Sequence, residues 1–250
     1  MKKMLKKYVL AFLGLFGLEI VRKTTSSSYI NCQETLQAAA KTGLSLADYL
    51  DASEPFSEAK GRSRRIVLQM SALGLFSSRV DDPTISMLEI GAGTGKYLER
   101  MLPGNISRCE IYEIDKSWSQ YLRERFASLP AVVVHEADGK TLKQSADASC
   151  DLVAAHGVFV YLPLLIMVGY LREAVRVLKP GGSLFFDVFS DADWSVETVD
   201  TCLSNECHYP VVLPHRLMDT VYSSLGLELR NEFVEYYGCC KTRYLLFQKV

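Results

Sequence analysis

The chain has 250 residues, of which 48% are hydrophobic and 23% charged, a balance typical of a folded domain and not of a disordered chain. Its 28 basic and 29 acidic residues give a net charge of −1, which argues against a protein that binds nucleic acid through a strongly basic face. Seven cysteines without regular spacing indicate a reduced protein of the cytoplasm.

Residues 1–23, here called the leader, differ from the rest of the chain. Four lysines flank the start of an apolar run from Tyr8 to Leu18, and Glu19 then interrupts it. The run is too short for a transmembrane helix, which needs about 20 apolar residues. No Ala-x-Ala-like cleavage site of a signal peptide follows. Two hypotheses stay open: a helix lying on the inner face of the membrane, with lysines near anionic headgroups, and a helix packed on the domain itself.

Residues 24–83 predict a helical extension that begins with a polar, serine-rich stretch. Helices are predicted at Cys32–Lys41, Leu46–Leu50 and Gly61–Leu75. Ser45 and Asp48 have the spacing of a capping box at the start of the second helix.

Residues 84–250 alternate short apolar runs with helical stretches. Strands are predicted at Ile85–Ile90, Cys109–Ile114, Ala131–Val134, Asp151–Ala155, Ser183–Val188, Leu227–Phe233 and Arg243–Gln248. Helices are predicted at Lys96–Leu102, Ser117–Phe126, Leu164–Leu178 and Pro214–Leu225. This alternation predicts an α/β fold with a doubly wound, mostly parallel seven-stranded sheet.

A glycine-rich loop follows the first strand of this region, where Ile90 leads into Gly91-Ala92-Gly93-Thr94-Gly95. Glycines permit positive φ and close approach of the backbone to a ligand at the carboxyl end of a strand. Glu113 stands at the end of the next strand, where it can accept hydrogen bonds from both hydroxyls of a ribose. The combination predicts a cofactor that contains a nucleoside, with a plain tight turn as the alternative.

The loop departs from the dinucleotide pattern Gly-x-Gly-x-x-Gly because its third glycine comes one position early. Glu89 precedes it, and a negative charge there disfavours a pyrophosphate but suits a cation. S-adenosylmethionine carries a sulfonium and an ammonium group. The segment Glu89–Gly95 resembles the first motif, acid-x-Gly-x-Gly-x-Gly, of the class I S-adenosylmethionine-dependent methyltransferases.

The resemblance extends from Ile85 to Val250 and implies S-adenosylmethionine as cofactor. The cofactor-binding residues that it implies are Glu89, Gly91, Ala92, Gly93, Gly95, Glu113, Ile114, Asp115, Asp138, Gly139 and His156. Glu113 is the implied ribose ligand, with Asp115 as the alternative. Asp138 is the implied acceptor from the amine of adenine, or else the cap of a turn. Asp151 is expected to support the fold.

His156 and Tyr161, which follow the fourth strand, are the candidate catalytic residues. A hydroxyl that accepts a methyl group needs a base with a pKa near 7 to take its proton, and histidine suits that task. His156 is therefore predicted to act on the acceptor, with a structural imidazole as the alternative. His208 and His215 are weaker candidates, and His135 is expected to be structural.

The segment Phe16–Lys23 resembles the basic, apolar leader of bacterial enzymes of surface-polysaccharide synthesis. The segments Ile111–Trp118 and His156–Phe159 resemble sugar O-methyltransferases of that setting, which implies a sugar or a lipid-linked glycan as acceptor. A lipid or quinone-like small molecule is an alternative, as is a non-catalytic module that binds S-adenosylmethionine. The Asn-Pro-Pro-Tyr type of motif that marks methylation of nucleobases does not follow the fourth strand, so nucleic acid is not expected as a substrate.

No metal site is predicted. Four cysteines, together with His208, match no standard zinc spacing and are expected to be scattered thiols; they are Cys202, Cys207, Cys239 and Cys240. Asp187 and Asp191 suggest a magnesium site only weakly, because no convincing third ligand accompanies them. The oligomeric state stays open.

Overall fold

A computed structural model describes residues 31–207 and 211–250. The leader lies outside these residues, so the structure tests neither hypothesis about its contacts. His208 lies outside them as well.

The described part of the chain contains one seven-stranded sheet. Its strands are β1 (Ile85–Ile90), β2 (Ile106–Glu113), β3 (Val132–Glu136), β4 (Cys150–Ala155), β5 (Leu178–Val188), β6 (Leu227–Tyr237) and β7 (Cys240–Lys249). They lie in the order β3-β2-β1-β4-β5-β7-β6. The first five are parallel, and β7 runs antiparallel to both β5 and β6. The order reverses between β1 and β4, which is the place where open α/β sheets bind ligands.

Eight α-helices accompany the sheet in the described residues. They are α1 (Cys32–Ala40), α2 (Leu46–Ser53), α3 (Arg62–Ala72), α4 (Lys96–Met101), α5 (Lys116–Arg125), α6 (Leu164–Val177), α7 (Val196–Ser204) and α8 (His215–Ser224). At the start of α2, the Ser45 hydroxyl accepts a hydrogen bond from the Asp48 amide at 3.1 Å, as the capping spacing predicts. No helix in the described residues has the length and apolar character needed to cross a bilayer.

Apolar side chains cover both faces of the sheet. Leu88 and Ile90 of β1 pack with α6 and α8 on one face, whereas Met87 packs with α3, α4 and α5 on the other. Side chains alternate along a strand, so Glu89 lies on the Met87 face. By the same alternation, His156 lies two positions after Ala154, and Asp187 two positions after Phe185, both of which belong to the Met87 face. The sequence thereby places three polar groups on one face, at the carboxyl ends of β1, β4 and β5.

All seven predicted strands are confirmed, and so are the seven helices predicted between Cys32 and Leu225. β2 begins three residues earlier than predicted, at Ile106, and β5 begins at Leu178 instead of Ser183. Helix α7 was not predicted.

Backbone contacts divide the chain into residues 1–37 and residues 38–250. The second unit contains the sheet together with α2 and α3. The predicted division into segments 1–23, 24–83 and 84–250 stays a prediction.

Candidate cofactor and active site

The glycine loop connects β1 to α4 in a conformation that glycine favours. Gly91 and Gly93 have positive φ values of 66° and 53°. A Cβ at Gly91 would lie 2.6 Å from a methyl group of Val158, so this position is closed to other residues. A Cβ at Gly93 would meet nothing within 4 Å, so open space lies beside the loop there. A ligand can therefore approach the backbone at Gly93.

Glu113, at the end of β2, holds this loop in place. One carboxylate oxygen accepts a hydrogen bond from the Gly93 amide at 2.6 Å, and the other accepts one from the Asp115 amide at 2.8 Å. The side chain is buried, and burial raises its pKa. Because a carboxylate offers about four acceptor sites, these two bonds leave room for the hydroxyls of a ribose.

The carboxyl group of Glu89 is buried, and one of its oxygen atoms makes no hydrogen bond within the described residues. Its side chain is 1% exposed, and its Oε2 atom has no hydrogen-bond partner among the described residues. Burial, together with the negative charge of Glu113, raises the pKa of Glu89 to about 8. A buried, unpaired carboxyl group of this kind is stabilised in its charged form by a nearby cation.

A partly exposed apolar surface follows Glu113. Ile114 is 52% exposed, and its Cδ1 atom lies 2.9 Å from where a Cβ at Gly139 would stand. Asp115 accepts hydrogen bonds from the first amides of α5, at Ser117 and Trp118. The flat surface of Ile114 and Gly139 is suited to a planar ring, and Asp115 serves here as a helix cap.

Asp138 caps a turn, which is the alternative that the sequence left open. Its carboxylate accepts hydrogen bonds from the amides of Lys140 and Thr141 and from the Thr141 hydroxyl, at 2.6–2.9 Å. These bonds lower its pKa to about 2, the hydroxyl of Thr141 contributing most. Its contact with an adenine amine stays a prediction.

His156 lies at the end of β4, buried between aromatic rings. Its imidazole stacks on the ring of Tyr97 with centroids 4.0 Å apart, and its Nδ1 atom lies 3.4 Å from the hydroxyl oxygen of Tyr244. Its Nε2 atom has no hydrogen-bond partner among the described residues. Burial, with the positive charges of Arg62 and Lys96, holds the pKa of His156 well below its usual value, so the ring is neutral at pH 7.

A buried ion pair beside His156 is the part of the site that the sequence did not predict. Arg62 of α3 donates a hydrogen bond to Asp187 of β5 at 2.7 Å, and both side chains are buried. The same guanidinium donates to the hydroxyls of Tyr97 and Tyr244, at 2.7 and 3.0 Å. The second Asp187 oxygen accepts from the Gly157 amide at 2.6 Å. Asp187 thus joins α3 to the loop that carries His156.

Tyr161 lies on the far side of the same loop. Its hydroxyl is 2.9 Å from that of Tyr237, whose ring packs against Gly157. The ring of Tyr237 also lies under the Arg62 guanidinium, 4.6 Å from its centre. Tyr161 is therefore connected to the His156 loop through Tyr237, and its catalytic role stays a prediction.

The other predicted polar residues have partners within the fold. His135 lies 2.7 Å from Glu110, which confirms its structural role. Asp191 interacts with His215 at 2.6 Å. Asp151 accepts hydrogen bonds from Ser86 and Lys179, as a residue that supports the sheet.

The expectation of scattered cysteines is wrong for four of the seven. Cys202 pairs with Cys240, and Cys207 pairs with Cys239, so that the two pairs adjoin at the turn between β6 and β7. The paired cysteines are 38 and 32 positions apart in sequence, and the packing of α7 against that turn brings them together.

Residues 88–186 match a protein family described as "Methyltransferase domain". This match agrees with the resemblance to class I methyltransferases, and the matched region is here called the methyltransferase domain. The match contains the glycine loop, Glu113 and His156. The methyltransferase domain is of the S-adenosylmethionine-dependent kind, in agreement with the strand order and with the acidic residues beside the loop.

Two curated relatives of the methyltransferase domain act on different atoms. The chain is similar to thiol S-methyltransferase TMT1B of Rattus norvegicus, with 30% identity over 138 residues, which cover 52% of this chain and 51% of that protein. It is also similar to malonyl-(acyl-carrier protein) O-methyltransferase of Methylococcus capsulatus, with 29% identity over 111 residues, covering 44% and 39%. The chain spans about half or less of the length of these relatives.

The methyltransferase fold is also found in a solved structure of similar length. Magnesium protoporphyrin IX methyltransferase (ChlM) from Synechocystis PCC 6803, with bound S-adenosylhomocysteine, superposes with a TM-score of 0.61. The superposition covers 98% of this chain and 100% of that one, at 10% identity. At this identity the likeness concerns the fold.

The residues of this chain fit S-adenosylmethionine. Glu89 offers a buried carboxyl group whose Oε2 atom has no partner in the part of the chain that the structure describes, Gly93 borders open space, and Ile114 presents an exposed apolar surface. The cationic part, the ribose and the adenine ring of S-adenosylmethionine would each meet a complementary group at one of these three places. The cofactor would be held by Glu89 and Glu113 with the loop amides between them.

Proposed function

We propose that the protein transfers a methyl group from S-adenosylmethionine to a hydroxyl of a small acceptor, with His156 as the general base. The observation that carries the proposal is a neutral imidazole with an unpartnered Nε2 atom, in the loop next to the glycine turn. The contact between Val158 and Gly91 joins the two loops, so the base and the cofactor-binding turn are neighbours.

The chain's own residues would bind the cofactor and hold the site in position. Glu113 fixes the glycine loop through the Gly93 amide. Glu89, whose raised pKa keeps it mostly protonated at pH 7 in the free protein, would ionise beside a cationic ligand. S-adenosylmethionine, when bound, supplies an electrophilic methyl group and leaves as a neutral thioether. Because positive charge disappears in this displacement, positioning and exclusion of water provide much of the rate.

His156 has the protonation state that a base requires. Its depressed pKa keeps the ring neutral at pH 7, but it also makes His156 a weaker base than the histidine with a pKa near 7 that the sequence predicts. Because the Tyr244 hydroxyl lies beside Nδ1, Nε2 is the nitrogen that would take a proton from a bound acceptor. A hydroxyl has a pKa far above 7 and needs such an acceptor as its oxygen attacks. The ion pair of Arg62 with Asp187 holds the histidine loop through the Gly157 amide.

For the acceptor we propose a sugar or a lipid-linked glycan. The support is the resemblance of the segments Ile111–Trp118 and His156–Phe159 to bacterial sugar O-methyltransferases, and of Phe16–Lys23 to the leader of enzymes of surface-polysaccharide synthesis. A thiol acceptor is the second candidate, because a curated relative is a thiol S-methyltransferase. A thiolate forms near neutral pH without a strong base, so the two candidates differ in their need for His156.

The test is methyl transfer from isotope-labelled S-adenosylmethionine to matched acceptors. We would offer a sugar glycoside, a lipid-linked glycan from membrane extract, a quinol, and an alcohol and a thiol with the same carbon skeleton. We expect labelled methyl ether on the glycan, and a loss of roughly 10²–10⁴-fold in its formation for His156→Ala. Labelled thioether alone, unaffected by His156→Ala, would favour the thiol candidate.

Cofactor binding is measured separately by calorimetry. Glu89→Gln should weaken binding of S-adenosylmethionine about 10–100-fold, because a hydrogen bond to a charged group contributes about 1.5–3 kcal/mol. Glu136→Gln, an exposed carboxylate at the end of β3, is the control and should bind normally. A wild-type protein that binds the cofactor but methylates none of the acceptors would support a non-catalytic binding module instead.

A further inference from the structure

Four cysteines from two distant segments meet beside the active-site loop. Cys202 lies in α7 and Cys207 follows that helix, whereas Cys239 and Cys240 form the turn between β6 and β7. The sulfur atoms of Cys202, Cys239 and Cys240 all lie within 4.8 Å of one another, and the sulfur of Cys207 contacts that of Cys239. The four thiols therefore form one cluster, here called the cysteine cluster.

The backbone spacing of the cluster suits a metal better than disulfide bonds. The Cα atoms of Cys202 and Cys240 are 7.1 Å apart, and those of Cys207 and Cys239 are 7.3 Å apart. Disulfide bonds usually join Cα atoms about 4.4–6.8 Å apart. Four thiolates at about 2.3 Å from one zinc ion have sulfur atoms about 3.8 Å apart, a wider arrangement. The sulfurs of Cys239 and Cys240, which are neighbours in sequence, lie 3.5 Å apart, close to that spacing.

We propose that the cysteine cluster binds one zinc ion through four thiolates. Four sulfur ligands in a tetrahedral arrangement are the donor set that selects zinc over harder cations such as magnesium. Cys202 and Cys240 are buried, at 6% and 2% exposure, as is usual for a structural zinc site without an open position. Binding requires no redox partner: each thiol loses a proton to solvent, and four sulfur–zinc bonds form.

The zinc site would fasten the segment between β5 and β6 onto the last hairpin. Cys202 and Cys240 pack with Val160 and Phe189 in a small apolar cluster of their own. Tyr237, which packs against the His156 loop at Gly157, borders the same cluster. Cys202 is the only buried residue of α7, so a bond from its sulfur to zinc would be a main attachment of this helix to the hairpin.

The full chain, expressed with zinc in the medium and purified with a non-thiol reductant, tests the proposal. We expect inductively coupled plasma mass spectrometry to find about one zinc per chain, released when the thiols are blocked by a mercurial. Intact-mass spectrometry of the untreated protein under denaturing conditions should show seven free thiols. Replacing zinc by cobalt should give the intense absorption of sulfur-to-cobalt charge transfer, a signature that depends on thiolate ligands and not on activity.

Cys202→Ser and Cys240→Ser should each lose the bound zinc and the cobalt absorption, and their Tm should fall. Cys150→Ser, at a buried thiol outside the cluster, is the matched control and should keep the metal. If the variants do not fold, the wild-type metal content and cobalt spectrum still decide. Zinc-free chains overturn the proposal, whether they carry four free thiols in the cluster or two disulfides. Chains that carry iron in place of zinc overturn the assignment of the metal.

Discussion

Glu89 has opposite effects on folding and on the proposed binding of a cationic cofactor. Its burial without a hydrogen-bond partner at Oε2 raises its pKa from an ordinary value of 4.5 to about 8. The folded protein therefore retains a proton that the unfolded chain releases once the pH passes 4.5. The stability that this proton confers is complete below pH 4.5 and is lost as pH rises through 8.

We predict that Glu89→Gln becomes progressively more stable than the wild type as pH rises. Glutamine has the shape of the protonated acid and cannot ionise. Between pH 6 and pH 9 the difference in free energy of unfolding should grow by roughly 2–3 kcal/mol in favour of the variant. Urea unfolding at a series of pH values measures it, with Glu136→Gln as the exposed control. A pH-independent difference would show that Glu89 is not a buried ionisable group of raised pKa.

A second prediction at the residue scale concerns His156, which we propose acts on the acceptor and not in cofactor binding. His156→Asn should lower kcat roughly 10²–10⁴-fold while the dissociation constant of S-adenosylmethionine changes little, because the proposed role concerns the acceptor's proton. Isothermal calorimetry and steady-state kinetics on the same preparation separate the two. His215→Asn, which alters an exposed imidazole paired with Asp191, is the control for general effects of the substitution. Equal losses of affinity and turnover would instead indicate that His156 shapes the cofactor site.

The buried, charged side chain of Arg62 joins helix α3 to the sheet. The Arg62 guanidinium contacts Asp187 of β5, Tyr97 of α4 and Tyr244 of β7, so one side chain links three elements. Its charge is desolvated, and its ion pair has both partners buried. Removal of one partner leaves the other charge buried and uncompensated.

Arg62→Met should therefore destabilise the protein by about 3–5 kcal/mol. Arg64→Met, on the same helix turn, removes an exposed pair with Asp48 and should cost about 0–1 kcal/mol. The double variant Arg62→Met with Asp187→Leu should recover part of the loss, since it leaves no unpaired charge. Guanidinium unfolding of all three checks this. If Arg62→Met were as mild as Arg64→Met, the buried pair would not hold α3 in place.

Elements differ in how well the sequence predicts them, and burial explains the difference. Strands β1, β4 and β5 carry apolar runs because both faces of the sheet are covered there, whereas the edge strand β6 is largely exposed. Helix α7 could not be predicted, because only Cys202 in it is buried while Val196 and Leu203 are exposed. Its start is fixed by local hydrogen bonds between Ser195 and Thr198, a pattern without an apolar stripe. The early start of β5 was missed because Lys179-Pro180-Gly181-Gly182 has the composition of a turn.

At the scale of the whole molecule, motifs that are local in sequence could be predicted, whereas contacts between distant residues could not. The glycine loop and Glu113 could be predicted because a strand, a turn and a helix contiguous in sequence produce them. The pair of Arg62 and Asp187 joins positions 125 residues apart, and the cysteine cluster joins α7 to the last hairpin. A single sequence carries no pattern for such contacts, since the topology of the sheet alone brings them together. The remaining predicted roles, those of Tyr161 and Asp138, await a bound acceptor and cofactor.

The leader gives the last prediction, which follows from its charge and not from the domain. We propose that residues 1–23 bind the surface of anionic membranes, where the protein would meet a lipid-linked acceptor. Four lysines at about 1 kcal/mol each would strengthen binding to anionic over neutral vesicles roughly 10³-fold, and salt would weaken it. Vesicle sedimentation with and without phosphatidylserine measures this for the full chain, for a chain lacking residues 1–23, and for a chain with the four lysines changed to glutamine. The deletion should abolish retention, and the glutamine variant should bind both vesicle types weakly and alike. Retention that survives the deletion, or a full chain that ignores phosphatidylserine but loses stability on deletion, would favour a helix packed on the domain, because only an interfacial helix gains from the lipid charge.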